Sequence, residues 1–257
     1  RRYESYMQHI EGGTWVKIGI MQPYWFPYLG YFQHCVSVDK FVFLTDANYK
    51  KKGWINRNRI MVDSREHMIT VPLQKASQNN KIFEQKVLQG HGWKKSILAT
   101  LRHSYHKAPF YSAAISVVEQ ALMSPAISIS DYAIESIAAV FEYIQGRAPF
   151  FETSDNYKNA DQIGERRIIE ICLRAAAHDY CNPISGCKLY DPASFRDRGL
   201  SLFFLEPRLH QYPQFSNKFI PSLSIIDALM MNSPSDMREL LNSYCIRPAA
   251  LVPESGP

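Results

Sequence analysis

The feature that most constrains the fold is a strand pattern that runs into a stiff aromatic loop and then into a helix pattern. Residues 17–34 read KIGIMQPYWFPYLGYFQH, in which Pro23 and Pro27 interrupt regular structure. An amphipathic helix is predicted over 28–38 and a second strand, KFVFLTD, over 40–46. A strand, a helix and a further strand in this order predict a parallel crossover.

The patterns in the rest of the chain predict an α/β fold. Its sheet contains parallel strands, helices flank the sheet, and a helical unit is inserted. A strand pattern (HMITVPL), three amphipathic helix patterns, a further helix pattern and the strand pattern LSLFFLEP follow in turn. We therefore predict an α/β core over 17–90 and 147–247, a helical insertion over 91–146, and a flexible leader over 1–16.

Composition excludes several classes of protein. The 257 residues, 46% of them hydrophobic, leave no room for a long disordered region. A net charge of +5 suits a phosphate-bearing ligand but falls short of a dedicated nucleic-acid-binding protein. Five cysteines without CxxC spacing favour free thiols. Because the chain has no signal-peptide pattern and no apolar run of about 18 residues, we expect a cytoplasmic protein without a membrane span.

The aromatic loop QPYWFPYLGY is the first candidate site, because it lies where a strand gives way to a helix whose first N–H groups attract anions. Its rings can stack on a flat ring or a sugar, and its prolines keep it rigid. The alternative is that the aromatic side chains pack as core. The hydroxyls of Tyr24, Tyr28 and Tyr31 favour a ligand, whereas Trp25 and Phe26 suit a core equally well.

The second candidate site is the basic segment TDANYKKKGWINRNR. Asp46 ends the second strand at the edge where open α/β sheets bind ligands. The segment combines cations, aromatic rings and carboxamides, which suit phosphates or sugar hydroxyls: Tyr49, Lys50, Lys51, Lys52, Trp54, Asn56, Arg57, Asn58 and Arg59. Strand alternation predicts that Trp54, Asn56 and Asn58 share one face. The alternative is a solvated basic hairpin edge that blocks aggregation.

A buried helix pattern near the C-terminus carries a third candidate, Asp227. Ser222 or Ser224 is the expected cap of this helix, and Ile225, Ile226 and Leu229 bury one side of it. Asp227 then needs a partner, or it only stabilises the helix dipole. Within the whole sequence no P-loop, GxGxxG, GxSxG or HExxH motif occurs, so we expect no cofactor and no metal.

These segments resemble the WbqC-like protein family of bacteria. The likeness rests on QPYWFPYLGYFQ, DKFVFLTDANYKKKGWINRNRI, HKAPFY and FIPSLSIIDALMMN, and it runs from about Lys17 to Asn232. The positions that the resemblance marks as site residues are Gln22, Tyr24, Tyr28, Tyr31, Asp46, Tyr49, Lys51, Trp54, Asn56, Arg57, Asn58 and Asp227. Family members are similar to proteins encoded in surface-polysaccharide gene clusters, which implies a role such as the transfer of glycine onto a sugar.

The chain also has a distant similarity to the nucleotidylyltransferase superfamily, in which a strand leads into an HxGH motif that holds nucleotide phosphates. The corresponding residues here are Tyr28, Leu29, Gly30 and Tyr31. Both histidines are replaced by tyrosines, which bring no positive charge because the ordinary pKa of a phenol is about 10. The similarity therefore implies a shared architecture rather than adenylyl transfer.

The resemblance implies a transferase of O-antigen biosynthesis that moves an aminoacyl or acyl group, such as glycyl, onto a sugar or nucleotide-sugar. By residue type, Asp46 is the candidate catalytic base, and Lys51, Asn56 or Asn58 is the candidate donor to the oxyanion, with Asp46 and Lys51 assigned as catalytic. We expect one pocket lined by Tyr24, Tyr28, Asp46, Lys51, Asn56 and Asn58. The expected partners are that sugar and an activated acyl donor, and nucleic acid only if the donor is an aminoacyl-tRNA. The alternative is a non-catalytic nucleotide-sugar or glycan-precursor binding protein.

Overall fold

A computed structural model describes residues 15–146 and 148–252, and these residues form the predicted α/β fold. Most of the predicted leader, residues 1–14, lies outside the described residues. The strands are β1 (Lys17–Met21), β2 (Lys40–Phe43), β3 (Arg57–Val62), β4 (Arg65–Thr70), β5 (Phe151–Thr153), β6 (Asp179–Pro183), β7 (Ser201–Pro207) and β8 (Tyr244–Pro248). The helices are α1 (Leu29–Val36), α2 (Gly92–Tyr105), α3 (Tyr111–Leu122), α4 (Ile129–Gln145), α5 (Gly164–Arg174), α6 (Pro192–Arg196), α7 (Ile225–Met231) and α8 (Pro234–Leu241).

The central sheet of the described residues has six strands in the order β5-β2-β1-β6-β7-β8. Strand β1 pairs in parallel with both β2 and β6, and only β8, at one edge, runs antiparallel to its neighbour. The predicted crossover is confirmed, because α1 joins β1 to the parallel strand β2. The chain adds strands on one side of β1 first and on the other side later, so the strand order reverses between β1 and β6.

Two hydrophobic clusters cover the two faces of this sheet. Successive side chains of β2 point to opposite faces of the sheet, so Phe41 and Phe43 belong to the larger cluster and Val42 belongs to the smaller one. The larger cluster contains buried residues of α1, α2, α3, α4, α7 and α8. The smaller cluster is built by α5 and α6. We call the face of the sheet that the larger cluster covers the α1 face and the face that the smaller cluster covers the α5 face.

Helices α2, α3 and α4 correspond to the predicted helical unit. Helix α4 begins at Ser128, whose hydroxyl accepts the N–H of Asp131 (3.1 Å), and it ends at Gly146 with a φ of 74°. A serine three positions before an acidic residue and a glycine after the last apolar position are the sequence pattern that predicts these two ends. All three helices contribute to the same hydrophobic cluster as α1. The division of the chain into a core and an insertion at residues 91 and 146 stays a prediction.

Several local predictions can be compared with the described residues. The second strand ends at Phe43 rather than at residue 46, and the strand predicted over 67–73 is β4, which lies earlier and pairs with β3 in a separate hairpin. All five cysteines are free thiols, as their odd number predicts. None of the described helices is both long enough and apolar enough to cross a membrane.

Helix α1 packs closely on β1 because β1 has a glycine at the contact. A Cβ atom at Gly19 would lie 2.8 Å from Nε2 of His34. That nitrogen lies 2.8 Å from the carbonyl oxygen of Cys181 on β6. Burial lowers the pKa of His34 to about 4, although the bond to Cys181 opposes the change. The imidazole is therefore neutral near pH 7 and donates its Nε2–H to the carbonyl, which joins α1 to β6 across β1.

We predict that Gly19→Ala lowers the free energy of unfolding by about 1 to 3 kcal/mol, because the added methyl group displaces His34 from a fully packed position. Urea-induced unfolding measures the change. Gly92→Ala at the start of α2 is the matched control, since a Cβ atom there meets nothing within 4 Å. Equal stability of the two variants would contradict the close packing of α1 on β1.

Candidate functional site

The candidate site lies at the carboxyl end of β1, next to the point where the strand order reverses. In open α/β sheets the loops on the two sides of such a point leave a crevice between them. Here one side is formed by residues 22–28, which we call the aromatic loop, and the other by the segment that follows β6. The aromatic loop leads directly into α1.

The backbone of the aromatic loop is strained at Phe26, which has a φ of 40°. Such a conformation costs about 1 to 3 kcal/mol in a residue with a side chain and persists only where the surroundings fix it. The Oγ of Ser136 on α4 accepts the N–H of Phe26 (3.0 Å). The carbonyl of Phe26 accepts Nδ2–H of Asn58 on β3 (2.7 Å) and Oγ–H of Ser224 before α7 (2.8 Å). We call these three hydrogen bonds the Phe26 clamp.

The aromatic side chains of the loop separate into a buried and a half-buried set. Trp25 and Phe26 are completely buried in the larger hydrophobic cluster, so the core interpretation is confirmed for these two residues. Tyr31 is also buried, and its hydroxyl donates to the carbonyl of Gln22 (2.9 Å). Tyr24 is only half-buried, and its ring centroid lies 5.6 Å from that of Tyr31.

Tyr28 ends the aromatic loop at the N-cap position of α1. Its ring covers Gly30, where a Cβ atom would lie 2.5 Å from Cε2 of Tyr28 and 3.1 Å from Cβ of Pro207. Only glycine allows this approach, which brings the end of β7 against the tyrosine. Burial raises the pKa of both Tyr24 and Tyr28, and the proximity of Tyr24 raises that of Tyr28 further. Both phenols are therefore neutral hydrogen-bond donors near pH 7.

Asp46 lies in a buried polar network instead of an open pocket. Its Oδ1 accepts Nη2–H of Arg167 on α5 (2.5 Å) and a further hydrogen bond from the hydroxyl of Ser154. Arg167 also donates Nε–H to Oδ1 of Asn159 (3.4 Å). The network belongs to the α5 face, whereas Tyr28 packs with the cluster on the α1 face. That Asp46 and Tyr28 line one pocket stays a prediction.

The lysines of the basic segment form an exposed turn. Lys50, Lys51 and Lys52 all face solvent, and Lys52 has a φ of 60°. Arg57 stabilises the turn, because its guanidinium donates to the carbonyl of Gly53 (2.9 Å) and to that of Lys52. The side chain of Arg57 is thereby committed to the backbone, whereas Lys51 is available to a ligand at the surface.

The carboxamides of the basic segment form hydrogen bonds within the protein. Asn56 accepts from the hydroxyl of Tyr49 (2.9 Å) and donates to the carbonyl of Val71 (2.8 Å), and Asn58 belongs to the Phe26 clamp. The predicted common face of Trp54, Asn56 and Asn58 is wrong. Strand β3 begins only at Arg57, so Trp54 lies before the alternating region and is 40% exposed, while both asparagines are buried.

Asp227 has the partner that its burial requires. Its carboxylate accepts the hydroxyls of Tyr105 (2.7 Å) and Tyr212 (2.8 Å) and the amide of Gln214 (2.9 Å). Burial raises the pKa of Asp227, and these three hydrogen bonds oppose the rise. Ser224, rather than Ser222, caps the helix. The carboxylate thus joins α7 to α2 and to the loop after β7, and its predicted role in substrate binding stays untested.

Two residues that position the site were missed from the sequence. Ser136 interrupts the apolar stripe of α4, and a serine among buried positions is a signal that a backbone partner exists nearby. Arg167 gave no comparable signal, because charged residues surround it in the sequence and its partner Asp46 lies 121 positions away.

We predict that Ser136→Ala lowers the free energy of unfolding by about 1 to 3 kcal/mol, because it leaves the buried N–H of Phe26 without its acceptor. Urea-induced unfolding measures the loss, and amide hydrogen exchange at Phe26 should accelerate. Ser116→Ala is the matched control, since that serine also lies within a helix but is exposed. If the Ser136 variant were as stable as this control, the clamp would not hold the loop.

A second prediction concerns the raised pKa of Asp227. The folded state binds a proton at this carboxyl more readily than the unfolded state, so this group contributes stability at low pH that is lost as the pH rises through the folded-state pKa. The wild type should therefore gain stability relative to Asp227→Asn as the pH falls from about 7 toward about 4. Urea unfolding of both proteins across this range tests it, and a difference that stays constant with pH would contradict it.

Two comparisons with known proteins find relatives of this chain. The uncharacterized protein Rv1507c of Mycobacterium tuberculosis is 27% identical over 236 residues, which cover 89% of this chain and 98% of the relative. No solved structure matches the chain at a significant level. The model of the WbqC-like protein family matches residues 22–239, which include the aromatic loop, the Phe26 clamp and Asp227. The chain therefore belongs to the WbqC-like protein family.

Proposed function

We propose that the crevice at the aromatic loop binds a sugar or nucleotide-sugar, and that the protein transfers an acyl or aminoacyl group, such as glycyl, to it in surface-polysaccharide biosynthesis. The observation that carries the proposal is the half-buried pair Tyr24 and Tyr28 on a strained, clamped loop at the carboxyl edge of a parallel sheet. Strained backbone held from several sides is typical of ligand sites.

The chemistry of the crevice suits a sugar. Rings of Tyr24 and Tyr28 offer apolar faces for the C–H side of a sugar or the face of a base, and their neutral hydroxyls can bond sugar oxygens. Tyr28 occupies the N-cap of α1, and among the described residues its side chain makes no capping hydrogen bond. The side chain of Tyr28 is therefore not committed to capping the helix and can contact the ligand.

Transfer requires an amine or hydroxyl of the acceptor sugar to attack the carbonyl of an activated acyl donor. A carbon–nitrogen or carbon–oxygen bond forms, the bond to the leaving group breaks, and a base takes the proton of the acceptor. In this proposal Asp46 is the base and Lys51 stabilises the developing oxyanion. Asp46 must first leave its ion pair with Arg167.

The burial of that ion pair favours a second candidate function. In this alternative the carboxylate of Asp46, which is 4% exposed and bonded to Arg167 and Ser154, holds the segment after β2 against α5. The protein would then bind a nucleotide-sugar or glycan precursor without chemistry.

Titration calorimetry with a panel of nucleoside diphosphate sugars tests the binding proposal. We expect Tyr24→Phe/Tyr28→Phe to weaken binding by about tenfold, because each lost hydroxyl removes a hydrogen bond of about 0.5 to 1.5 kcal/mol. Tyr143→Phe on α4 is the matched control and should bind as the wild type does. If the double variant also matched the wild type, the tyrosine surface would not be the sugar site.

A second experiment distinguishes between the two proposed functions, an enzyme and a non-catalytic binding protein. Asp46→Asn alone should lose about 3 to 5 kcal/mol of stability because it leaves Arg167 buried and unpaired, so a loss of activity in it is ambiguous. Asp46→Asn/Arg167→Met removes both charges and should recover most of that stability. Mass spectrometry then follows acylated sugar. Product from the wild type but not from the folded, sugar-binding double variant supports the base role, and sugar binding without product from any donor supports the binding protein.

A further inference from the structure

The excess positive charge of this protein is confined to one stretch. Residues 46–86 contain nine Lys and Arg against four Asp and Glu, which gives +5, the net charge of the whole chain. The rest of the sequence has twenty residues of each sign. Within the stretch, residues 47–62 and 67–83 contain no Asp or Glu. A modest net charge thus becomes a strong local one.

Two parts of this stretch form one continuous surface, residues 48–54 and 74–81, which we call the basic rim. The N–H of Tyr49 donates to the carbonyl of Asn80 (2.9 Å), and the side chain of Lys81 donates to Oδ1 of Asn48 (2.9 Å). Just beyond the rim, Ile82 donates its N–H to the carbonyl of Ala47 (2.9 Å). The lysine turn and residues 74–81 therefore lie side by side.

The nearest acidic groups do not neutralise the rim. Asp46 is buried and paired with Arg167, so its charge is already compensated. Glu84, exposed just beyond the rim, accepts the backbone N–H of Lys81 (2.7 Å), and its single negative charge offsets at most one of the rim's five lysines. Four lysines of the rim are exposed: Lys50, Lys51, Lys52 and Lys75.

The rim also carries groups that can recognise more than charge. Trp54 is 40% exposed, and the guanidinium of Arg59 lies 5.3 Å from its ring centroid on one side. Exposed carboxamides surround the lysines: Asn48, Gln74, Gln78, Asn79 and Asn80. Lysines that follow a phosphate backbone, an aromatic ring on which a base stacks and amides that bond base edges are the components of single-strand binding surfaces.

We propose that the basic rim binds a single-stranded nucleic acid. A lipid surface is the less suitable occupant, because binding to it depends on an amphipathic helix or several apolar anchors, and the rim offers a single exposed large apolar side chain, Trp54, among hydrogen-bonding amides. This inference does not require the proposed sugar transfer, since the rim and the crevice are tested with different ligands.

Fluorescence anisotropy tests the proposal with labelled single strands of RNA or DNA of about 12 nucleotides and with a duplex of equal length, between about 50 and 200 mM salt. The test variant is Lys50→Ala/Lys51→Ala/Lys52→Ala. The matched control removes three exposed cations outside the rim, Arg102→Ala/Lys107→Ala/Arg196→Ala, of which Arg102 and Arg196 lie on helices and Lys107 lies two residues after α2.

We expect the wild type to bind the single strand more tightly than the duplex. The triple lysine variant should weaken binding at least tenfold at the lower salt and reduce the slope of log K against log salt by about 2, since each lost contact to a single strand contributes about 0.7. The control triple variant should keep the wild-type slope. Trp54→Ala should weaken binding about fivefold or more, and Trp54→Phe should recover most of it because stacking is preserved.

Three outcomes would overturn the proposal. They are equal binding by the lysine variant and the control variant, tighter binding of the duplex, and co-sedimentation with phosphatidylglycerol vesicles by a protein that binds neither single strand. The last result would assign the rim to a membrane surface. Because the lysines lie in an exposed turn, the triple variant should fold, and its unfolding curve in urea verifies this.

Discussion

The Phe26 clamp is the interaction on which the rest of the structure around the candidate site depends. One strained residue, Phe26, donates its N–H to α4 and accepts hydrogen bonds at its carbonyl from β3 and from the cap of α7, three elements that are far apart in the sequence. The chain beyond it is held as well, since the N–H of Ile225 donates to the carbonyl of Pro27 (2.8 Å). The helical unit, the hairpin and the C-terminal helices are therefore assembled around the same loop that begins α1.

The polar side chains of the candidate site residues differ in how deeply they are buried. Asp46 and Asp227 are buried, and each is surrounded by donors that hold neighbouring elements in place. Tyr24 and Tyr28 are half-buried and the lysine turn is exposed. Residues of both kinds lie within the region that the family model matches. The crevice and the basic rim lie on successive loops, after β1 and after β2.

Local patterns predicted more of the fold than of the site. The strand, helix and strand at the N-terminus were predictable because neighbouring residues determine them, as was the cap of α4 by Ser128 and Gly146. The roles of the asparagines were not, because the partner of Asn58 is a strained carbonyl 32 positions away. That Asp227 needs a partner followed from its helix position, but the identity of that partner depended on tertiary packing.

NMR of the chain labelled with carbon-13 in its tyrosine rings, during titration with a nucleotide-sugar, tests whether ligands bind at the clamped aromatic loop. Tyr24→Phe and Tyr28→Phe assign the two resonances of interest. We expect these two resonances to shift together and saturate, while that of Tyr157, which lines a separate surface groove with Arg174, stays fixed. Saturating shifts at Tyr157 with unchanged Tyr24 and Tyr28 would contradict binding at the aromatic loop.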